Sequence, residues 1–194
     1  RLFRMSFTGE AGYEVNVPAD YGQAIWEAIW ARAEPLGACA YGTETMHVLR
    51  AEKGFIIVGQ DTDGSMTPDD LNMSWCVGRN KPFSWIGLRG MNREDCLRDN
   101  RKQLVGLKPI DPTKWLPEGA QLVFDPKQPI PMDMVGHVTS SYRSAELGRP
   151  FALALVKGGH ARIGETLHVP VDGSLVAVEV TSSVLVDPEG ARRD

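Results

Sequence analysis

A single carboxylate, Glu14, stands on the polar side of a predicted strand, between Tyr13 and Val15. A carboxylate that a sheet holds in place accepts two parallel N–H hydrogen bonds from the edge of a guanidine-like heterocycle. An isolated glutamate on a strand also commonly faces water without any role in binding. Glu14 is therefore a candidate for binding a nitrogen heterocycle, and a solvated side chain is the alternative.

Trp75 is a second candidate, because a tryptophan offers a conjugated ligand a flat apolar face and one hydrogen-bond donor. Packing in the core is the more common role of this residue type. Arg50 and Glu52 lie on a predicted helix, and a solvated polar face is the simplest interpretation of this pair. His47 lies one turn before Ala51 on the same helix and is expected to be a surface or core histidine without a catalytic role.

Sequence motifs for metals and nucleotides are missing. The four histidines follow neither the H-E-x-x-H nor the H-x-H spacing. Asp61 and Asp63 resemble the start of a calcium loop, but Asn72 stands where an EF-hand needs a bidentate glutamate, so a turn is predicted. Gly9 and Gly12 are too close together for a phosphate-binding loop. This chain by itself is expected to bind no flavin, nicotinamide or metal.

The composition is that of an ordinary globular protein, with 194 residues, 42% apolar and 24% charged, and a net charge of −4. The acidic balance argues against nucleic acid as a partner. Apolar runs such as residues 55–58 are far shorter than the roughly 18 residues that span a bilayer. No signal peptide opens the chain, and three cysteines without C-x-x-C spacing predict reduced thiols. A cytoplasmic protein without membrane contact is therefore expected.

The first half of the chain alternates predicted strands and helices. Residues 2–7 and 13–17 alternate apolar and polar positions around a glycine-containing loop, which predicts a β-hairpin. Asp20 is the predicted N-cap of a helix that Pro35 ends. The chain begins at Arg1, without Met and inside a predicted strand, and this predicts a piece of a longer polypeptide.

Three further elements are predicted before residue 100. A helix is expected over residues 43–53, with Thr43 as its cap and Gly54 as the residue after its C-terminus. Residues 55–58 are apolar and partly β-branched, which predicts a short buried strand. Residues 67–70 combine a capping hydroxyl, a proline and two acids, which is typical of the start of a helix.

The helical pattern largely disappears after a polar run at residues 97–103. Short predicted strands then alternate with clusters of Pro, Gly and Asp, at residues 104–107, 121–124, 135–140, 151–156, 166–169 and 175–181. This arrangement is typical of a small barrel or sandwich. The sequence therefore predicts two domains, residues 1–99 and 100–194.

Several segments together resemble the folate-binding aminomethyltransferase family, typified by the glycine-cleavage T-protein. They occur in the family's order, at residues 4–15, 49–54, 59–61, 67–68, 74–75, 136–140 and 151–156. Ala154 and Leu155 replace a glycine and a tyrosine of the family, so the last segment supports the fold more than any site. The resemblance implies an α+β chain: part of an α/β folate-binding domain, followed by a small antiparallel β-barrel.

A subfamily is indicated by residues 41–44 and 47–64, which are similar to the C-terminal part of the alpha subunits of heterotetrameric sarcosine oxidases. T-proteins carry an arginine where Met46 stands, and this departure favours the sarcosine oxidase branch. The resemblance implies tetrahydrofolate as the small molecule bound by this region. It also implies flavin and NAD elsewhere in the complete enzyme, and the other sarcosine oxidase subunits as partners.

The resemblance also implies roles for single residues. Glu14 corresponds to the glutamate that recognises the pterin, and Trp75 to the tryptophan that lines the folate pocket. Tyr21 is placed beside the folate tail, with packing of the first helix as its alternative role. The family's catalytic aspartate lies upstream of Arg1, so no catalytic residue is predicted within this chain.

The implied activity is transfer of the one-carbon unit from oxidative demethylation of sarcosine to tetrahydrofolate, which gives 5,10-methylenetetrahydrofolate. The fragment alone is expected to be inactive. Two alternatives stay open at this point. One is a T-protein-like aminomethyltransferase. The other is a non-catalytic folate-domain scaffold or subunit-interaction module, for which Trp26 and Trp30 on the flank of the first helix would form a partner surface.

Overall fold

A computed structural model describes residues 1–193. The regular elements of the first half are strands β1 (Leu2–Arg4) and β2 (Tyr13–Val15) and helices α1 (Gly22–Ala33), α2 (Thr43–Glu52) and α3 (Leu88–Met91). β1 and β2 form an antiparallel hairpin in which Phe3 lies opposite Glu14. The hairpin and the first two helices confirm the predicted elements, although Tyr21 and not Asp20 precedes α1.

The second half is a closed antiparallel barrel with the strand order β3-β6-β5-β4-β7-β8. Its strands are β3 (Lys102–Pro109), β4 (Gln121–Val123), β5 (Met134–Ser144), β6 (Arg149–Lys157), β7 (Thr166–Val171) and β8 (Ser174–Thr181). All six overlap the short segments between Pro, Gly and Asp clusters that were predicted as strands. Of the two architectures that the sequence predicts, the structure has the barrel and not the sandwich, because β8 pairs with β3 and closes the sheet.

Two apolar clusters form the core. The first fills the barrel with side chains such as Leu122, Leu167 and Val178, which are fully buried. The second lies outside the barrel, where Phe151 and Leu153 pack against the first half of the chain. Strand β6 therefore has apolar contacts on both faces, which explains its unbroken apolar sequence.

Residues 55–58 do not form the predicted strand. Their backbone groups bond locally instead: the Phe55 amide donates to the Arg50 carbonyl, and the Ile57 amide donates to the Asp61 carboxylate. Because these groups already have partners, the segment has no need of a neighbouring strand. A single bridge between Val58 and Thr62 is the only strand-like pairing that the described residues show here.

Residues 67–70 do not start the predicted helix either. The Thr67 amide and hydroxyl both donate to Asp70, at 2.8 Å each, as in a helix capping box. The chain then turns away at Asn72, which has a φ of +60°. The Arg101 guanidinium donates hydrogen bonds to the Asp70 carboxylate. The motif therefore closes a turn and anchors the segment that leads into the barrel.

Most of the first half exposes its apolar side chains. Helix α1 buries none of its residues, and Leu36, just after it, is 87% exposed. Trp26 and Trp30 stack on its flank, with ring centroids 6.0 Å apart. No helix within residues 1–193 is long and apolar enough to cross a membrane.

Candidate functional site

A cavity of about 410 Å³ opens between the hairpin and the N-terminal end of α2. Its walls come from both strands, from the turn between them and from the segment that enters α2, through Met5, Phe7, Thr8, Gly12, Tyr13, Glu14, Tyr41 and Met46. The volume lies in the range of about 300–1,000 Å³ that is typical of small-molecule sites. Glu14 carries the only charge among the lining residues.

Glu14 offers a carboxylate that its neighbours only half satisfy. Oε1 accepts a hydrogen bond from Asn16 Nδ2 at 2.8 Å, while Oε2 has no partner among residues 1–193. Cross-strand pairing with Phe3 fixes the backbone at this point. A carboxylate with a free oxygen above an apolar wall is suited to a flat ligand that presents N–H donors at its edge.

The other walls of the cavity are aromatic and aliphatic. Phe7 and Tyr41 supply faces on which a conjugated ring can stack, and Met46 supplies a polarisable thioether. Tyr41 and Met46 reach the cavity only because the chain brings them back to the hairpin after α1. Sequence reasoning missed Tyr41 as a cavity wall.

The structure places Tyr21 and Trp75 outside this cavity. Tyr21 directly precedes α1 and is exposed, and Trp75 lies in a single 3-10 turn, Ser74–Cys76, with 80% of its surface exposed. Neither contributes to the walls around Glu14. Their predicted contacts with folate therefore stay predictions, whereas Glu14 has a defined cavity in front of it.

A buried charged network joins the first half to the barrel, and sequence reasoning missed it. Arg50 and Asp61 form an ion pair in which both side chains are 0% exposed. Arg50 Nη2 also donates to Ser140 Oγ at 2.8 Å and to the Tyr142 hydroxyl at 3.1 Å. Asp61 accepts in turn from Ser140 Oγ at 2.7 Å. Such pairs are stable inside a protein only when further hydrogen bonds offset the burial of the charges. Here both Nη atoms of Arg50 and both carboxylate oxygens of Asp61 have partners, while Arg50 Nε has none among residues 1–193.

The predicted solvated face of α2 is therefore wrong. Arg50 and Glu52 are both buried against the barrel, because the outer face of β5 covers the C-terminal end of the helix. Burial raises the pKa of Glu52, and a hydrogen bond from Ser144 partly opposes the shift. The only sequence signal was the position of Arg50 and Asp61 in two short motifs of the family pattern.

The turn predicted around Asp61 and Asp63 agrees with the structure. Asp63 closes a turn by accepting from the Ser65 amide at 2.8 Å and from its hydroxyl at 2.6 Å, which confirms the turn expected there. The three cysteines are free thiols. Within residues 1–193, no group of three or more His, Cys, Asp or Glu side chains is arranged to hold a metal ion.

The fold and the sequence both define one class of protein. Residues 1–81 match the sequence model of the GCVT N-terminal domain, and residues 102–187 match that of the glycine cleavage T-protein C-terminal barrel domain. The structure is similar to that of the glycine cleavage system aminomethyltransferase T from Bartonella henselae, with a TM-score of 0.75. This likeness, at 24% identity, covers 96% of the chain and 50% of the other. The chain belongs to the glycine cleavage T-protein family.

Within the family, the chain is similar to a particular group of enzyme subunits. It is 52% identical to the sarcosine oxidase subunit alpha of Corynebacterium sp. (strain P-1), a match that covers 100% of this chain and 20% of that subunit. The corresponding Rhizobium meliloti subunit is 35% identical over 98% of the chain and 19% of its own length. The aminomethyltransferase of Shouchella clausii is 30% identical over 93% of the chain and 47% of its own length. The chain thus spans about a fifth of its sarcosine oxidase relatives.

Proposed function

We propose that this chain is the folate-binding portion of a sarcosine oxidase alpha subunit. The observation that carries the proposal is the Glu14 cavity, in which one free carboxylate oxygen stands among aromatic walls. The 52% identity to a sarcosine oxidase alpha subunit, against 30% to an aminomethyltransferase, favours this branch over a T-protein. We also propose the cytoplasm as its location and other sarcosine oxidase subunits as its partners.

Tetrahydrofolate fits the chemistry of the cavity. The pterin ring carries a 2-amino group and an N3–H, which form a pair of donors at one edge of a flat conjugated system. Glu14 would accept from these donors, while Phe7 and Tyr41 would cover the faces of the ring. Met46 adds no charge to the wall, so recognition of the pterin rests on the single carboxylate.

The proposed reaction of the complete enzyme is the oxidative demethylation of sarcosine. Sarcosine, oxygen and tetrahydrofolate would give glycine, hydrogen peroxide and 5,10-methylenetetrahydrofolate. Tetrahydrofolate supplies the amine nitrogens that accept the one-carbon unit. The residues of this chain would bind and orient the pterin, a contribution of positioning and not of covalent chemistry. Flavin and NAD would bind elsewhere in the complete enzyme.

The test is a Glu14→Gln substitution in the complete alpha subunit, assembled with its partner subunits. The glutamine keeps the shape of the side chain but turns a donor toward the donors of the pterin. We expect a loss of roughly 2–4 kcal/mol, so that the Kd for tetrahydrofolate rises about 30- to 1000-fold. Sarcosine oxidation should then release free formaldehyde in place of methylenetetrahydrofolate.

The matched control is Glu27→Gln, which changes an exposed carboxylate on α1. It should leave the Kd for tetrahydrofolate unchanged. An unchanged Kd for Glu14→Gln would show that Glu14 is a solvated strand residue and would contradict the proposal. For Trp75→Ala we expect a smaller loss of about 1–3 kcal/mol, because only stacking and burial would be removed.

A subunit-interaction module is the second candidate, and the uncovered apolar face of α1 favours it. Ile29 is about half exposed, and an apolar cleft runs beside it to Leu36. Ile29→Asp in the complete enzyme should prevent assembly of the oligomer, as measured by size-exclusion chromatography. Gln23→Asp adds the same charge on an exposed position of the same helix and should not. If both variants assemble normally and bind folate, the interaction role is excluded.

A further inference from the structure

Three segments that lie far apart in the sequence meet behind the Glu14 hairpin. They are the turn between β1 and β2, the C-terminal end of α2, and residues 187–193, which we name the C-terminal clasp. The clasp begins at Asp187, whose φ of +46° turns the chain back toward the hairpin. The Asp187 carboxylate holds this turn by accepting from the amides of Ala191 and Arg192.

Lys53 forms the first tie between the clasp and the hairpin. Its Nζ donates to Asp187 Oδ2 at 3.0 Å and also to the Asp187 carbonyl oxygen, and its side chain is 8% exposed. The turn at Gly9 lies directly on the Lys53 alkyl chain: a Cβ at Gly9 would lie 2.0 Å from Lys53 Cγ. The position of the hairpin turn is therefore set by a side chain that the clasp fixes at its other end.

Arg192 forms the second tie and reaches two carboxylates. Nη2 donates to Glu146 Oε1 at 2.7 Å, on the turn between β5 and β6 of the barrel. Nη1 lies 3.7 Å from Glu10 Oε1, on the hairpin turn. A single guanidinium thus connects the hairpin to the barrel, which is the rigid part of the molecule.

Two further hydrogen bonds run from the hairpin to the clasp. The Ala11 amide donates to the Arg192 carbonyl oxygen at 2.9 Å. The Arg4 guanidinium donates from Nη2 to the Arg193 carbonyl oxygen at 3.0 Å. The end of β1 and the turn before β2 are therefore both bonded to the clasp.

Within residues 1–193 the hairpin is short and has little packing of its own. It has only three cross-strand residue pairs, and all six of its strand residues are exposed. A two-stranded hairpin of this size is at best marginally stable in water. Its cavity also has a far wall, Tyr41 and Met46, on a different segment of the chain. A small rotation of the hairpin would therefore move Glu14 relative to the aromatic wall.

We propose that the C-terminal clasp positions the Glu14 hairpin for ligand binding, with Lys53, Asp187 and Arg192 as positioning residues. The proposal rests on the proposed folate site and adds residues that lie outside the cavity. When a site is correctly formed for only a fraction of the time, the apparent Kd rises by the inverse of that fraction. A hairpin that is in place for a tenth of the time would thus bind about tenfold more weakly.

The main test is Arg192→Ala in the complete alpha subunit, with two measurements. We expect the Kd for tetrahydrofolate to rise about tenfold. We also expect faster hydrogen exchange at the hairpin amides, Met5 and Ala11 among them, with barrel amides and the melting temperature unchanged. Arg192→Lys keeps the positive charge and should restore most of the affinity.

Arg162→Ala is the matched control, because it removes another exposed Arg–Glu pair, with Glu165, that does not touch the hairpin. It should change neither measurement. A second variant combines Lys53→Met with Asp187→Asn, so that no lone charge is left buried and the asparagine keeps the turn at positive φ. This pair should raise the Kd and speed hairpin exchange in the same way as Arg192→Ala.

The outcomes separate the two proposals. If Glu14→Gln leaves the Kd unchanged, the folate site is wrong, while hairpin exchange still reports on the clasp. If Glu14→Gln weakens binding but Arg192→Ala and the Lys53/Asp187 pair change neither Kd nor exchange, the clasp is not a positioning device. Faster exchange limited to the barrel, or a general fall in melting temperature without loss of affinity, would also overturn it.

Discussion

The barrel buries apolar side chains in a closed core, whereas most of the first half of the chain exposes its apolar side chains. In the barrel, alternating strand residues fill a closed interior, and side chains such as Leu167 and Val178 are fully buried. In the first half, α1 buries no residue, and every residue from 78 to 100 is at least partly exposed. The barrel thus carries its own core, while the first half depends on contacts at a few points.

Those contacts combine one apolar cluster, in which Ala51 and Leu71 pack against Phe151 and Leu153, with a small number of charged pairs. The Arg50–Asp61 pair bonds to Ser140 of the barrel, and the Lys53–Asp187 and Asp70–Arg101 pairs join the first half to the segments that flank the barrel. The comparison shows that a region with little core of its own is held by directional bonds in addition to one apolar cluster. Directional bonds fix orientation, which a binding site needs, better than apolar contact does.

The largest difference is expected in limited proteolysis, because the two regions differ in how easily they open. Trypsin should first cut between residues 77 and 103, at exposed sites such as Arg98, and the barrel should survive as a stable product. Cleavage of the barrel should be slower by more than about 1,000-fold. This measurement tests the proposed domains, residues 1–99 and 100–194. Early cuts inside residues 135–156 would contradict the division.

Asp61→Ala is expected to have the largest effect on stability. It leaves Arg50 buried without its partner, and breaking a buried pair in this way typically costs about 3–5 kcal/mol. Urea unfolding of the purified chain would measure the loss. Arg79→Met is the control, because it removes an exposed pair with Asp69 and should cost less than about 1 kcal/mol. Equal effects of the two variants would show that the network does not hold the regions together.

Leu167→Ala should have the next largest effect, a loss of about 2–5 kcal/mol from the barrel core. Leu36→Ala removes the same atoms from an exposed position after α1 and should change the stability by less than about 0.5 kcal/mol. Both values come from the same urea unfolding experiment. A comparable loss at Leu36 would mean that its surface is covered in solution.

The smallest effect is a pH dependence at the joint between the regions. Burial alone would raise the pKa of Asp70, but hydrogen bonds from Arg101 and Thr67 outweigh it and lower that pKa. The unfolded chain therefore takes up a proton more readily as pH falls through about 4, and stability is lost below that pH. Unfolding measured from pH 6 to pH 3 should show this loss in the parent.

Asp70→Asn should remove part of that slope, because the variant has no carboxylate to protonate at the joint. Asp20→Asn changes an exposed carboxylate before α1 and should keep the slope of the parent. If the free energy of unfolding depends on pH to the same extent in the parent and in both variants, the Asp70–Arg101 pair contributes nothing that depends on pH.

The sequence by itself determined the elements whose patterns are local. Short runs between clusters of Pro, Gly and Asp located all six barrel strands, and alternation around a glycine-containing loop located the hairpin. Gly54 was predicted to follow the end of α2, and it has a φ of +67°, as that position requires. Residue types also singled out Glu14, because a lone carboxylate between apolar strand neighbours is visible without any knowledge of the fold.

Only the tertiary structure decided what surrounds these elements. Burial of Arg50 and Asp61 depends on Ser140 and Tyr142, which lie about 80 or more residues further along the chain. Residues 55–58 have strand-like composition but no strand to pair with, since nearby groups already bond their backbone. The walls opposite Glu14 likewise come from a separate segment. Local sequence patterns indicate whether a segment forms a helix or a strand. Burial and hydrogen-bond partners depend instead on contacts that the closed barrel creates.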